Sequence, residues 1–202
     1  MASMVRFLCA GSVVLAVSAC AVAPSGLSTP EPAQVDEAVA SARTAADTLQ
    51  RDLLAALTQA MSVSGPAGAI SVCNEKAPQI ATKISSDTSV DIGRTALRLR
   101  NPANVPDAWE KDRLAVFAAE LAAGKPPAGM EGYAVEQTPD GWRLRWMRPI
   151  VLQPMCASCH GTDIGSDIGE ILSGLYPGDQ ATGFSPGELR GAFTATVSLS
   201  RD

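Results

Sequence analysis

The stretch Cys156-Ala157-Ser158-Cys159-His160 constrains the fold of this chain more than any other stretch does. It holds two of the five cysteines and the only histidine. The C-x-x-C-H spacing is that of c-type haem attachment. Two residues between the thiols let both sulfurs reach the vinyl groups on one porphyrin edge, and the adjacent imidazole then lies under the iron. The sequence therefore predicts one covalent haem c, with Cys156 and Cys159 as thioether residues and His160 as the proximal axial ligand.

Three other interpretations of the motif are weaker. A structural zinc site needs four ligands, and Cys73 with the motif offers three sulfurs and one nitrogen, but Cys159 and His160 are adjacent and poorly placed to share one tetrahedral ion. A thioredoxin-like dithiol does not need the histidine and usually opens a helix after a strand. A plain disulfide leaves His160 unexplained.

The distal side of the iron cannot carry a second histidine, because the chain has only one. The candidates are Met61, Met130, Met147, Met155, Cys73, water or no ligand, and Met155 abuts the motif on its proximal side. We favour Cys73, since a lone thiol in an oxidising compartment is unusual and metal binding would both explain and protect it. The alternative for Cys73 is a small buried apolar residue.

The N-terminus predicts export. Residues 1–19 contain Arg6 and then an apolar run that is shorter than the roughly 20 residues needed to span a bilayer, as in a signal peptide. The run ends in Val17-Ser18-Ala19-Cys20, which resembles a lipobox and predicts acylation of Cys20, with ordinary cleavage as the alternative. Ala21 then favours the outer membrane, with the protein on the periplasmic side. Residues 20–33 are rich in proline and serine and predict a tether.

Residues 34–202 predict a single α+β domain. Apolar residues recur every three or four positions from Val35 to Ala60, which indicates a long helix ended by Ser-Gly-Pro-Ala-Gly at 64–68. A second helical pattern carries Cys73 on its apolar face. Strand patterns, a helix with Asp107 as N-cap and a hairpin follow; in the hairpin Trp142, Leu144 and Trp146 point inward, and Arg143 and Arg145 point outward. Such an order predicts an antiparallel sheet flanked by helices.

Charge argues against a nucleic-acid partner. The formal net charge is −5 and no cluster of lysine and arginine occurs, whereas phosphate backbones require a basic surface. Arg94 and Arg98, with Arg100 nearby, are candidates to pair with haem propionates, because a guanidinium matches a carboxylate. Solvated charge on a strand face is the alternative.

Four stretches resemble a known family: ISVCNEKAPQIA, IGRTALRLRNPANVPDAWE, RPIVLQPMCASCHG and LYPGDQATGFSPGELRGA. The family comprises single-haem c-type proteins with a PAS-like fold in bacterial exported and sensor proteins, and the stretches cover most of the chain from about Ala67 onward. The resemblance implies covalent haem at Cys156 and Cys159, with His160 and Cys73 as axial ligands. It also implies a PAS-like antiparallel sheet.

A thiolate ligand favours ferric iron, so we expect a low-potential redox or gas sensor. The alternatives are a simple periplasmic electron-transfer cytochrome c and, less favoured, a four-helix cytochrome. We do not expect an enzyme, because no second histidine is available for acid–base chemistry. No kinase or chemotaxis domain follows Asp202, so signalling would require a separate redox or signalling protein.

Overall fold

The structure, a computed structural model, describes residues 28–199. The predicted signal peptide at 1–19, the predicted lipidation site Cys20 and most of the predicted tether lie outside the described residues. The first helix begins at Pro32.

Helices form the first part of the described chain. Helix α1 spans Pro32–Ser71, a π-helical turn spans Val72–Lys76, and α2 spans Ala77–Thr88. The predicted break at 64–68 is a kink rather than an end. Gly65 leaves helical geometry at φ 64° and ψ −165°, and Pro66 then occupies the first position of the resumed helix, where its missing N–H costs nothing.

The remaining elements alternate between strands and helices. Asp107 caps α3 as predicted: its carboxylate accepts from the Glu110 N–H at 2.9 Å, and the Glu110 carboxylate accepts from the Asp107 N–H at 3.0 Å, which is a capping box. In chain order the elements are β1 Val90–Thr95, α3 Ala108–Ala122, β2 Gly132–Thr138, β3 Gly141–Val151, α4 Ala157–His160, α5 Ser166–Leu175 and β4 Leu189–Leu199.

The four strands form one antiparallel sheet in the order β1-β4-β3-β2. The two longest strands, β3 and β4, lie at its centre. Strands β2 and β3 form a hairpin that keeps one register along its whole length, from Gly132 opposite Met147 to Thr138 opposite Gly141. The predicted α+β fold, with an antiparallel sheet flanked by helices and a long helix before it, is confirmed.

Each face of the sheet is covered by helices. On one face a stripe of small side chains from the first half of α1 packs against Leu144, Trp146 and Phe193. The stripe consists of Ala38, Val39, Ala42, Ala45, Ala46 and Leu49. On the other face α3 packs through Leu114 and Phe117 against residues that include Met130 and Met147.

Helix α3 changes the environment of one hairpin arginine. Arg143 points to solvent as expected and pairs with Glu136 at 2.7 Å. Arg145 was expected outside too, but it is only 9% exposed. Its guanidinium lies 4.5 Å from the Trp109 ring centroid and 2.7 Å from the Asp107 carboxylate. The prediction for Arg145 is wrong because strand alternation assigns a face and does not show whether a helix covers it.

Candidate cofactor site

A cavity of about 920 Å³ opens between the second half of α1, the π-helical turn, the end of β3 and the Cys156–His160 segment. Its volume lies near the top of the roughly 300–1,000 Å³ range of small-molecule and cofactor sites. Apolar side chains such as Leu53, Leu57 and Ile150 form much of its wall. A few charged and polar groups join them, as is usual for cofactor sites.

The cavity brings together residues that are far apart in the chain. Cys156, Cys159 and His160 line one part of it, and Cys73 lines it from the π-helical turn. All three cysteines are free thiols and half-buried. Within residues 28–199 no group of three or more His, Cys, Asp and Glu side chains is arranged to hold a metal ion by itself.

The contacts of the His160 imidazole favour one tautomer. Its Nδ1 lies 2.7 Å from the carbonyl oxygen of Ala181 and 3.2 Å from Nε of Arg190. A carbonyl can only accept and a guanidinium can only donate, so one nitrogen cannot hydrogen-bond to both. The shorter contact favours the tautomer in which Nδ1–H donates to Ala181 and the Nε2 lone pair is free, as in metal-binding histidines.

Charge and burial keep His160 neutral. Burial, with added repulsion from Arg190 and Arg100, lowers the pKa of His160 to about 3. At neutral pH the ring is therefore uncharged and able to act as a ligand.

Cys73 lies on the π-helical turn, a geometry often found at functional sites. Burial raises the pKa of its thiol, while Arg94 and Arg100 act in the opposite direction. The surrounding guanidinium groups therefore offer compensating charge if the sulfur becomes a thiolate.

The two arginines proposed for propionates occupy different places. Arg94 lines the cavity and burial lowers its pKa, while the charges of Cys73 and Tyr176 act in the opposite direction. Within residues 28–199 its guanidinium makes no hydrogen bond or ion pair. Arg98 does not line the cavity: its Nε donates to the Gln180 carbonyl at 3.0 Å and its guanidinium lies 4.0 Å from the Phe184 ring centroid. Arg190, which no sequence pattern singled out, lines the cavity instead.

The four methionines considered as distal ligands lie in two different places. Met61 and Met155 line the cavity, whereas Met130 and Met147 are buried in the core under α3. The cavity therefore contains Cys73, Met61 and Met155 from the original set of protein ligands.

A buried ion pair that the motif does not reveal supports the Cys156–His160 segment. Arg100 pairs with Asp179 at 2.9 Å and donates to the Cys159 carbonyl at 2.6 Å. Asp179 was missed, although both residues lie within stretches that carry the family resemblance; no local pattern shows that positions so far apart meet.

Comparison with known proteins fits this arrangement. The Tll0287-like family model matches residues 31–198. The chain belongs to the Tll0287-like family. A solved structure, that of the cyanobacterial heme-protein Tll0287, is 22% identical, with a TM-score of 0.60 over 86% of this chain and 99% of that chain. No curated protein matches.

At this level of identity the solved structure shows that the two proteins share a fold. Membership of the Tll0287-like family, with a model that spans nearly all the described residues, confirms the family resemblance found in the sequence motifs. The match begins at the start of α1, so the long first helix belongs to the Tll0287-like domain.

Proposed function

We propose that this protein is an exported mono-haem c-type cytochrome with His/Cys axial ligation that acts as a low-potential redox or gas sensor. The observation that carries the proposal is the common cavity, which Cys156, Cys159, His160 and Cys73 all line. The cyanobacterial heme-protein Tll0287 has the same fold, which supports the same cofactor here.

The donor set fits a haem. His160 offers a free Nε2 because its Nδ1–H is engaged with Ala181, and imidazole and thiolate are both axial ligands of haem iron. Cys156 and Cys159 have the spacing for thioether attachment. Bound haem would supply a one-electron redox centre whose potential depends on its ligands and surroundings.

The guanidinium groups in the cavity suit the propionates. The Arg94 guanidinium makes no hydrogen bond or ion pair within the described residues, and Arg190 lies beside His160, so each can donate to a carboxylate. For Arg98, which lies on Phe184 outside the lining, the propionate role stays a prediction.

The proposed sensing function depends on Cys73. As a thiolate it would add negative charge beside the iron and hold the potential low. A protonated thiol is a poor metal ligand, so uptake of a proton at Sγ would release Cys73 and open a coordination position to a small gas molecule. The π-helical turn connects such a release directly to α1 and α2.

The protein's setting is part of the proposal. Acylation at Cys20 would anchor the domain to a bacterial membrane, on the periplasmic side and favouring the outer membrane. We propose a separate redox or signalling protein as its partner. Nucleic acid is not a partner, and we propose no catalytic activity, because the one histidine is engaged with Ala181 and assigned to the metal.

The deciding experiment compares optical and EPR spectra of the full-length protein with those of Cys73→Ala. Met61→Ala, at another cavity-lining position, is the matched control. We expect a low-spin thiolate signature that Cys73→Ala loses and Met61→Ala keeps. An unchanged spectrum in Cys73→Ala would overturn the His/Cys assignment.

The electron-transfer alternative is tested on the same samples. If the reduced protein binds CO while Cys73 leaves the iron, the site is a sensor. If CO is excluded, ligation is unchanged and the midpoint potential is moderate or high, a simple electron-transfer cytochrome c is the better description.

A further inference from the structure

Arg100 and Asp179 form a buried ion pair beside the C-x-x-C-H motif, and Arg100 also lines the cavity. Their side chains are only 7% and 10% exposed, and Nε and Nη2 of Arg100 lie 3.0 and 2.9 Å from the same Asp179 carboxylate oxygen, Oδ2. A buried pair persists when further hydrogen bonds satisfy both partners. Here Nη2 of Arg100 also donates to the Cys159 carbonyl at 2.6 Å, and Oδ1 of Asp179 accepts from the Ala181 N–H at 2.8 Å.

Ala181 links this pair to the histidine. Its carbonyl oxygen lies 2.7 Å from Nδ1 of His160, where it can accept the Nδ1–H, and 3.4 Å from Nη2 of Arg100. Asp179 holds the Ala181 peptide from its N–H side and Arg100 contacts it from its carbonyl side. The backbone N–H of Phe184 also donates to the His160 carbonyl at 3.0 Å. The segment that orients the imidazole is thus itself fixed by the ion pair.

We propose that Arg100 and Asp179 are positioning residues for His160: through the Ala181 carbonyl they set the ring's orientation and tautomer, and their opposite charges tune the metal centre. The charge effect rests on the proposed function. The tautomer effect belongs to the polypeptide and needs no cofactor.

The two side chains act on a redox centre with opposite signs. A guanidinium near an iron ligand favours the reduced, less positive state, whereas a carboxylate favours the oxidised state. A merely structural pair would give no such contrast, because losing either partner would loosen the same segment.

The first test measures midpoint potentials of the full-length, haem-loaded protein. We expect Arg100→Met to shift the potential to a more negative value and Asp179→Asn to a more positive value. The matched control is Arg143→Met, which breaks the exposed Arg143–Glu136 pair on the hairpin and should leave the potential unchanged. Shifts of the same sign, or none beyond that of the control, would overturn the inference.

The second test reads the tautomer by ring ¹⁵N NMR in the full-length Cys156→Ser/Cys159→Ser chain, which cannot attach haem. Since His160 is the only histidine, its two ring nitrogens give an unambiguous signal. We expect Nδ1 to be protonated in this background and the preference to be lost on adding Arg100→Met. Persistence of the Nδ1–H form in a folded Arg100→Met chain would contradict the positioning role.

A charge-conserving variant covers the case in which Arg100→Met does not fold. Arg100→Lys keeps the charge but replaces the planar fork with a single amine. We expect it to lose the tautomer preference with little change in potential, and retention of that preference would again overturn the inference. A chain that takes up no haem would contradict the proposed function while leaving the NMR result valid.

Discussion

The two halves of helix α1 share one element but serve different purposes. The first half buries a stripe from Ala38 to Leu49 against the sheet. From residue 50 to residue 68 no residue is buried, and Leu53, Leu57 and Met61 instead line the cavity.

The difference shows why one amphipathic pattern can encode both a core and a site. Small residues in the first half let the helix approach the sheet closely, and buried apolar area there stabilises the fold. Larger side chains in the second half face a space wide enough for a cofactor. We therefore expect substitutions in the first half to change stability and those in the second to change the properties of the site.

The largest effect is expected at the end of the first half. Leu49 is fully buried, so Leu49→Ala should lower the free energy of unfolding by about 2–5 kcal/mol. Leu54→Ala, in the second half where Leu54 is 40% exposed, should cost much less. Urea unfolding followed by circular dichroism measures both, and equal losses would refute the division of the helix.

The next effect is expected at the kink between the cavity wall and the turn that carries Cys73. Gly65 has a positive φ of 64° and a Cβ there would meet no atom within 4 Å. Gly65→Ala should therefore destabilise by about 1–3 kcal/mol through backbone strain alone. Gly174→Ala also adds a Cβ in open space, without a positive φ, and serves as the control in thermal unfolding. A neutral Gly65→Ala would show that the kink is not required.

In the second half of α1 we expect a smaller change in stability but a shift in the midpoint potential. Leu57→Asn places an amide in the cavity wall, where polarity around a haem alters its potential. We expect unfolding free energy to change by less than about 1 kcal/mol and the midpoint potential to shift. Val63→Asn, at a position that is 72% exposed, should leave the potential in place. A shift in the midpoint potential for Val63→Asn and none for Leu57→Asn would contradict the placement of Leu57 in the cavity wall.

The smallest effect concerns an ion pair that holds the first half of α1. A hydrogen bond from Arg43 lowers the pKa of Glu131, whose carboxylate also accepts from the Trp146 indole N–H at 3.0 Å. A lowered folded-state pKa contributes stability above the unfolded value, near pH 4.5, and this contribution is lost as pH falls through the folded value. Because Arg43 is half exposed, the contribution should not exceed about 1 kcal/mol.

Glu131→Gln should therefore lower stability slightly at pH 7 and remove part of its decline in acid. Comparing urea midpoints at pH 7 and pH 3.5 measures this difference. Glu120→Gln, which alters the exposed Lys125–Glu120 pair, is the control. A decline in acid as steep as that of the wild type would exclude Glu131 as a contributor.

Several features of the fold followed from local chemistry. The apolar periodicity predicted the long helix, Asp107 predicted the start of α3, and alternation predicted the inward face of β3 with Leu144 and Trp146. Each depends on residues a few positions apart, which is the range over which helix and strand geometry act. The end predicted at 64–68 became a kink, because Gly65 absorbs the break and Pro66 suits the start of the next turn.

The sequence by itself determined the C-x-x-C-H motif, since Cys156, Cys159 and His160 lie within five consecutive residues, and its spacing predicts haem attachment. It also singled out Cys73 as a lone thiol. Only the tertiary structure decided that Cys73 lines the same cavity, that Arg190 rather than Arg98 does so, and that Arg100 and Asp179 meet behind the histidine. These contacts join residues separated by dozens of positions, and their formation depends on how the sheet and helices pack, which no local pattern records.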